Sequence, residues 1–315
     1  MELFQSTLSQ MGFLLFLMVT GFVLVKVKAV PENGTQVISK LENNVFIPAL
    51  VMGTFMTKLT PDNLGSYGKY VLCGLAVVAV TLPLAILVAK CFSKDSYLRK
   101  IYTYGLAFSN FGFMGNAVVQ ALFLEIFDEY LVFVLPFWAG IYVWGVPFLL
   151  MPDTGKKRSL WSWVKPFVNP MFVGMLIGML LGLTALPLPT FVSGAVTTLG
   201  SCMSPLAMLL TGMTIARIDL KKAFTNVPVY IASCVRLVVI PVAALLAVWA
   251  LGLEKGLALC VVCNLAMPLG LSPVVVPAGF GMDTSDAAGM ALISHLLSCL
   301  SIPVVFWLFN MLIPL

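Results

Sequence analysis

Residues 1–151 and 166–315 follow one plan twice. Pro31, Pro48, Pro83, Asn110 and Pro147 are answered in the same order by Pro189, Pro205, Pro241, Asn264 and Pro303, at shifts of 158, 157, 158, 154 and 156 residues. The local wording agrees: Leu82-Pro83-Leu84-Ala85 stands against Ile240-Pro241-Val242-Ala243. Any one match among 19 prolines is unremarkable; five in order, each at a similar place in its apolar segment, indicate an internal duplication. Each copy holds five apolar segments, and an odd number of membrane crossings inverts the second copy relative to the first. Inverted repeats of this kind are built into many secondary transporters.

The segments fall at 8–25, 37–57, 66–89, 101–124, 130–151, 168–187, 193–215, 227–251, 256–280 and 286–313, numbered one to ten below. Only 10% of residues are charged and mean hydropathy is +1.03. Soluble domains carry about 25% charge, so most of this chain is built for lipid. A spanning helix needs roughly 20 apolar residues. The runs are long and lack the alternation of barrel strands. Backbone groups in lipid must be satisfied internally, which predicts an all-α polytopic membrane protein of ten helices in a single domain, 1–315. The opening Met1-Glu2-Leu3-Phe4 has no basic n-region, so segment one reads as a permanent helix and not a cleaved signal peptide. The internal boundary is the basic stretch 152–167.

Orientation follows from the basic residues. Loops after odd-numbered segments carry Lys26, Lys28, Lys90, Lys94, Arg99, Lys100, Lys156, Lys157, Arg158, Lys165, Arg217, Lys221 and Lys222. The other side carries Lys58, Lys69 and Lys255, while Lys40 and Arg236 sit within segments. The odd loops are therefore expected in the cytoplasm and both termini outside. These charges are spread over short loops, whereas a nucleic-acid partner requires a concentrated basic surface; none is expected.

Segments four and nine are unlike the rest. Segment four contains Ser109-Asn110-Phe111-Gly112-Phe113-Met114-Gly115-Asn116 and then Gln120; segment nine contains Cys263-Asn264-Leu265-Ala266-Met267-Pro268-Leu269-Gly270-Leu271-Ser272-Pro273. Proline removes a backbone donor and frees a carbonyl one turn earlier, and glycine weakens the helix. In lipid such freed groups cost several kcal/mol unless protein or a water-filled cavity meets them. Free N–H groups at a half-helix start suit an anion, and free carbonyls suit a cation. The opposing reading is close helix packing through small residues and interhelical bonding by asparagine. The paired asparagines with helix breakers favour a substrate site lined by Asn110, Gly112, Gly115, Asn116, Asn264, Pro268 and Ser272.

Arg236 lies about mid-depth in segment eight, and its counterpart by the 158-residue shift is Val78. Either it contributes to an anion site, or it pairs with backbone carbonyls or a carboxylate or snorkels. Glu42, Glu125, Asp128, Glu129, Glu254, Asp283 and Asp286 all fall near segment ends. Glu42-Asn43-Asn44 is a cavity lining or a solvated helix start, the second being preferred, and Lys58 reads as an interfacial snorkel. His295, the only histidine, is a proton relay or a hydrogen-bonded structural residue. Ser109, Gln120 and His295 are the candidates for ion coupling, with Na+ and H+ both open. Cys260 and Cys263 form a C-x-x-C inside an apolar run and read as packing residues. No P-loop, H-E-x-x-H or G-x-S-x-G is present. One histidine gives no multi-histidine metal centre, and no cofactor, metal or catalytic residue is expected.

The ordered motifs resemble those of the auxin efflux carrier family, in its compact microbial branch related to the plant PIN carriers. They are Gly21 to Lys26, Ile47-Pro48-Ala49-Leu50, the Ser109–Gly115 run, Ser204-Pro205-Leu206-Ala207 with Gly212, Arg236-Leu237-Val238 before Pro241, Ala266-Met267-Pro268 followed by Gly281-Met282-Asp283, and Ile302-Pro303. The chain departs from the family where a proline is usual, near Ala117. The first break is then expected to rest on Gly112 and Gly115, or to be a milder unwinding. The resemblance implies two inverted five-helix repeats, as in the sodium/bile acid symporter fold, with segments four and nine broken and crossing. It also implies a scaffold of segments one, two, six and seven, a moving transport domain of segments three to five and eight to ten, and a homodimer. Its expected substrates are small organic anions, either auxin-like or malate- or malonate-like carboxylates. The rival classes are a channel, a receptor using the same pocket and, last, an enzyme.

Overall fold

A computed structural model of the chain describes residues 2–152, 168–217 and 224–314. The basic residues Lys156, Lys157, Arg158, Lys165, Lys221 and Lys222, and nearly all of the boundary stretch, lie outside the described residues. Among the described residues every regular element is helical, and the one β-type contact is an isolated bridge between Ser109 and Leu269.

Among the described residues, six helices are long and apolar enough to cross a membrane: Leu3–Lys26, Leu64–Ala89, Leu124–Leu150, Thr190–Ile215, Val227–Ala250 and Ser285–Leu312. Leu64–Ala89 shows what solvent they need, since only 11% of its most apolar window is buried within the protein. Its Leu72, Leu75, Val80, Leu84 and Leu87 are exposed, an apolar face suited to lipid. The chain is a multi-pass membrane protein. Segment two runs as Gly34–Leu41, Glu42–Phe46 and Ile47–Lys58; segment six is Pro170–Thr184. Asn169 starts segment six, accepting from Phe172 N at 3.1 Å ahead of Pro170.

Segments one, two, six and seven are joined backbone to backbone through glycine. A Cβ on Gly174, Gly178 or Gly182 would lie 2.5–2.7 Å from the carbonyl oxygens of Pro48, Met52 and Phe55, so this small-xxx-small stripe lets segment six lie directly on segment two. Gly21 and Gly212 do the same between segments one and seven, against Leu209 and Met18.

Prolines shape the ladder elsewhere. Pro48 and Pro241 each follow a five-residue π-helical turn, Glu42–Phe46 and Val235–Val239. A π turn is a local slip of the ladder, common where a side chain must be re-aimed. Two helices are interrupted outright. Ser96–Ala107 stops, and the chain resumes as a π turn, Phe111–Gly115, followed by Asn116–Leu122. Lys255–Leu265 stops and resumes as Ser272–Ala278.

One expectation fails. Glu42 is not a solvated helix start: it is fully buried and neither carboxylate oxygen has a partner. The π turn that carries it packs against segments six and seven, while Asn43 and Asn44 stay exposed. Lys58 is half-buried and its ammonium donates to Leu124 O at 3.3 Å.

Candidate functional site

The two interruptions meet. Ser109 and Leu269 pair as a short antiparallel bridge, and Asn110 N donates to Pro268 O at 2.7 Å. The hydroxyl of Ser109 donates to Asn264 O at 2.8 Å, with Asn264 Oδ1 3.1 Å away. Leu269 N donates to Ser294 Oγ at 3.1 Å.

The sequence explains which backbone groups are left over. In an α-helix the carbonyl of residue i accepts from the N–H of residue i+4. For Asn264 that residue is Pro268, which has no N–H, so the carbonyl takes only a long 3.4 Å backbone bond from Met267 N and is open to Ser109 Oγ. For Leu106 it is Asn110, whose N–H is committed to Pro268 O. The proline in one segment thus frees one carbonyl directly and a second across the interface.

Arg236 collects these carbonyls. It is fully buried; Nε donates to Met267 O at 3.0 Å, Nη1 to Leu106 O at 3.0 Å, and Nη2 reaches Asn264 O at 3.5 Å. Of the readings drawn for it, pairing with backbone carbonyls is the one present. Among the described residues the one carboxylate salt bridge is Lys69–Glu254, and it does not include Arg236.

His295 also joins the breaks, although it lies 185 residues from Asn110. Its Nδ1 is 2.7 Å from Ala291 O and its Nε2 3.0 Å from Asn110 Nδ2. A carbonyl only accepts, so Nδ1 carries the proton and Nε2 accepts from the asparagine amide. That is the geometry of a neutral, hydrogen-bonded histidine.

Among the described residues, the buried side-chain groups without a partner are the Glu42 carboxylate, Ser233 Oγ and Ser301 Oγ, with Asn264 Nδ2 at the breaks and Asn116 Oδ1 beyond them. Asn116 follows the π turn Phe111–Gly115, beyond the break. It lines a small cavity with Val51, Phe55, Trp138, Met171 and Met175, between segments two, four, five and six. A second cavity adjoins it at Trp138 and Met171 and opens toward Asn43, Asn44 and Asn169. Asn116 is among the expected site residues, and Asn43 and Asn44 line a cavity, as one reading of their segment has it; the remaining walls come from separate segments, which sequence reasoning does not bring together.

The remaining candidates divide. Ser272 opens the second half of segment nine beside the Tyr104 hydroxyl. Gly112 and Gly115 are in the π turn, beyond the break, where a Cβ would lie 2.5 Å from the Trp138 ring and 2.3 Å from the Tyr130 hydroxyl. They admit aromatic side chains of segment five, as the packing reading has it. Gln120 is half-buried near the far end of its half-helix, and no contact ties it to the breaks. Cys260 and Cys263 are buried in the apolar interior.

A family model described as membrane transport protein matches residues 6–306. No curated protein matches the chain at a significant level.

Proposed function

The chain belongs to the membrane transport protein family, the auxin efflux carriers among them, and on that premise we propose that it is a secondary carrier of small organic carboxylates working by alternating access. The site is the meeting point of the two breaks. The observation that carries the reading is Asn264 Nδ2: a fully buried donor with no partner, fixed in place by the bond its own oxygen takes from Ser109. Leaving such a donor unpaired costs about 1–3 kcal/mol, and a carboxylate oxygen is the acceptor that removes the cost. The half-helices starting at Phe111 and Ser272 add positive dipole ends to the same place. Asn110 and Ser109 position the site, Pro268 opens it, and Gly112 and Gly115 let segment five close over it. Asn116 lines the approach between segments two, four, five and six.

The carrier has ten crossings in two inverted repeats, lies in the cell membrane with both termini outside, and acts as a homodimer. Its scaffold is segments one, two, six and seven, past which segments three to five and eight to ten move. A pair of contacts supports the repeat. Gly21 packs on the carbonyl of Leu209, and Gly178, 157 residues after Gly21, packs on that of Met52, 157 residues before Leu209. Exchanging the two halves turns one contact into the other.

Purified protein in liposomes, supplied with labelled malonate, malate and indole-3-acetate, tests the reading. Saturable uptake with counterflow exchange is expected, lost in Asn110→Ala and Asn264→Ala while both variants still purify folded. Full uptake by both variants would remove the site from this place. Flux without saturation or counterflow would make the protein a channel, and ligand-dependent stabilisation without flux a receptor.

A further inference from the structure

Broken helices in carriers leave carbonyls and half-helix C-termini that coordinate a coupling cation. Here the freed carbonyls of Leu106, Asn264 and Met267 belong to the C-terminal ends of the first halves of segments four and nine. Both ends carry the negative pole of a helix dipole. The group that meets them is the guanidinium of Arg236, a fixed cation that donates and never accepts. It reaches them from segment eight, out of the π turn Val235–Val239. Among the described residues no carboxylate forms a salt bridge with it.

We propose that Arg236 is a tethered substitute for the coupling cation: its guanidinium fills the carbonyl cluster that a sodium ion would otherwise need, so the wild-type protein has no cation site at the breaks, and removing the side chain creates one. Arg236 is thus a positioning residue that holds both half-helices open and joins them to segment eight. Its charge is already balanced by two dipole ends and three carbonyls, which leaves the anion to Asn264 and the half-helix starts. The consequence for ion coupling rests on the carrier reading above; the cation site itself does not, and is measured without substrate.

The experiment is thermal unfolding of the full chain in detergent, with NaCl, KCl and choline chloride at equal ionic strength. For the wild type, the melting temperature is expected to agree within about 1 °C across the three salts. Arg236→Gln is expected to melt lower in choline and to regain several degrees in Na+ or K+, saturably, because a ligand bound only by the folded state raises the melting temperature. Arg236→Lys keeps a charge and is expected to melt lower than wild type without any gain from Na+. A saturable rise with Na+ in the wild type overturns the proposal, as does a folded Arg236→Gln protein indifferent to all three salts. If Arg236→Gln does not fold, Arg236→Lys decides: indifference to Na+ upholds the substitution of charge for metal, and a saturable gain refutes it. Failure of carboxylate uptake would refute the carrier reading and leave these melting temperatures unchanged.

Discussion

The break in segment nine runs over Ala266–Leu271 and contains a proline; the break in segment four is confined to Phe108–Asn110 and contains none. Pro268 opens segment nine from within, by withholding the N–H that Asn264 O would take. Segment four is opened from outside: Asn110 N is drawn to Pro268 O and Ser109 is tied to Asn264, after which the helix restarts through a π turn. A covalent cause in one segment and a tertiary cause in the other imply an order of dependence. Segment nine should hold its break alone, and segment four should hold its break only while segment nine does.

The largest effect expected from this dependence is that of Pro268→Ala. It restores a donor four residues beyond Asn264, lets segment nine close, and withdraws the carbonyl that holds Asn110. Asn110 N then returns to Leu106 O and displaces Arg236. Liposome uptake should fall about a hundredfold, roughly 2.7 kcal/mol. Uptake at the wild-type rate would show that the break does not depend on its proline.

The scaffold behaves oppositely at one pair of its glycine contacts, Gly21 on Leu209 and Gly178 on Met52, which match under the 157-residue exchange. A Cβ at Gly21 would lie 2.1 Å from Leu209 O, and one at Gly178 would lie 2.5 Å from Met52 O. Overpacking costs about 1–3 kcal/mol. Gly21→Ala and Gly178→Ala should therefore lower the melting temperature by similar amounts. A loss confined to one of them would break the symmetric reading of the scaffold. Smaller again is Ser109→Ala, which cuts the side-chain tie between the two breaks. A single hydrogen bond contributes about 0.5–1.5 kcal/mol net, and a loss of that size in chemical unfolding is expected; no loss would show that the backbone bridge suffices.

The all-helical membrane class was legible because lipid leaves the backbone one economical solution over long apolar runs. The break of segment nine was legible for a local reason, a proline four residues after a polar residue. The break of segment four was legible only in outline. Its glycines suggested where the helix yields, yet it yields two residues earlier, at Asn110, because the force that opens it comes from Pro268. Long-range partnerships were invisible: nothing near His295 points to Asn110, and nothing near Arg236 says which carbonyls will be free. Glu42 was misread because its neighbours Asn43 and Asn44 are solvated and a π turn separates its direction from theirs.

Ala117 gives the finest test of the comparison. The π turns ending at Phe46 and Val239 are each followed, two residues on, by Pro48 and Pro241; the π turn ending at Gly115 is followed, two residues on, by Ala117. The three turns share their hydrogen bonding, with Ile47, Asn116 and Ile240 each donating to the carbonyl five residues back. In two of them the next residue has no N–H to give. Segment four therefore keeps the backbone of a proline site without the proline. Ala117→Pro should cost less than about 1 kcal/mol, against the roughly 3 kcal/mol of a proline in an ordinary helix interior, and should leave uptake within about twofold. Ala117 is buried, so ring bulk must be separated from the lost donor. Ala117→Val adds similar bulk and keeps the N–H. If the proline variant melts several degrees below the valine variant, the N–H of residue 117 is holding the turn, and this turn is not equivalent to its two proline-bearing counterparts.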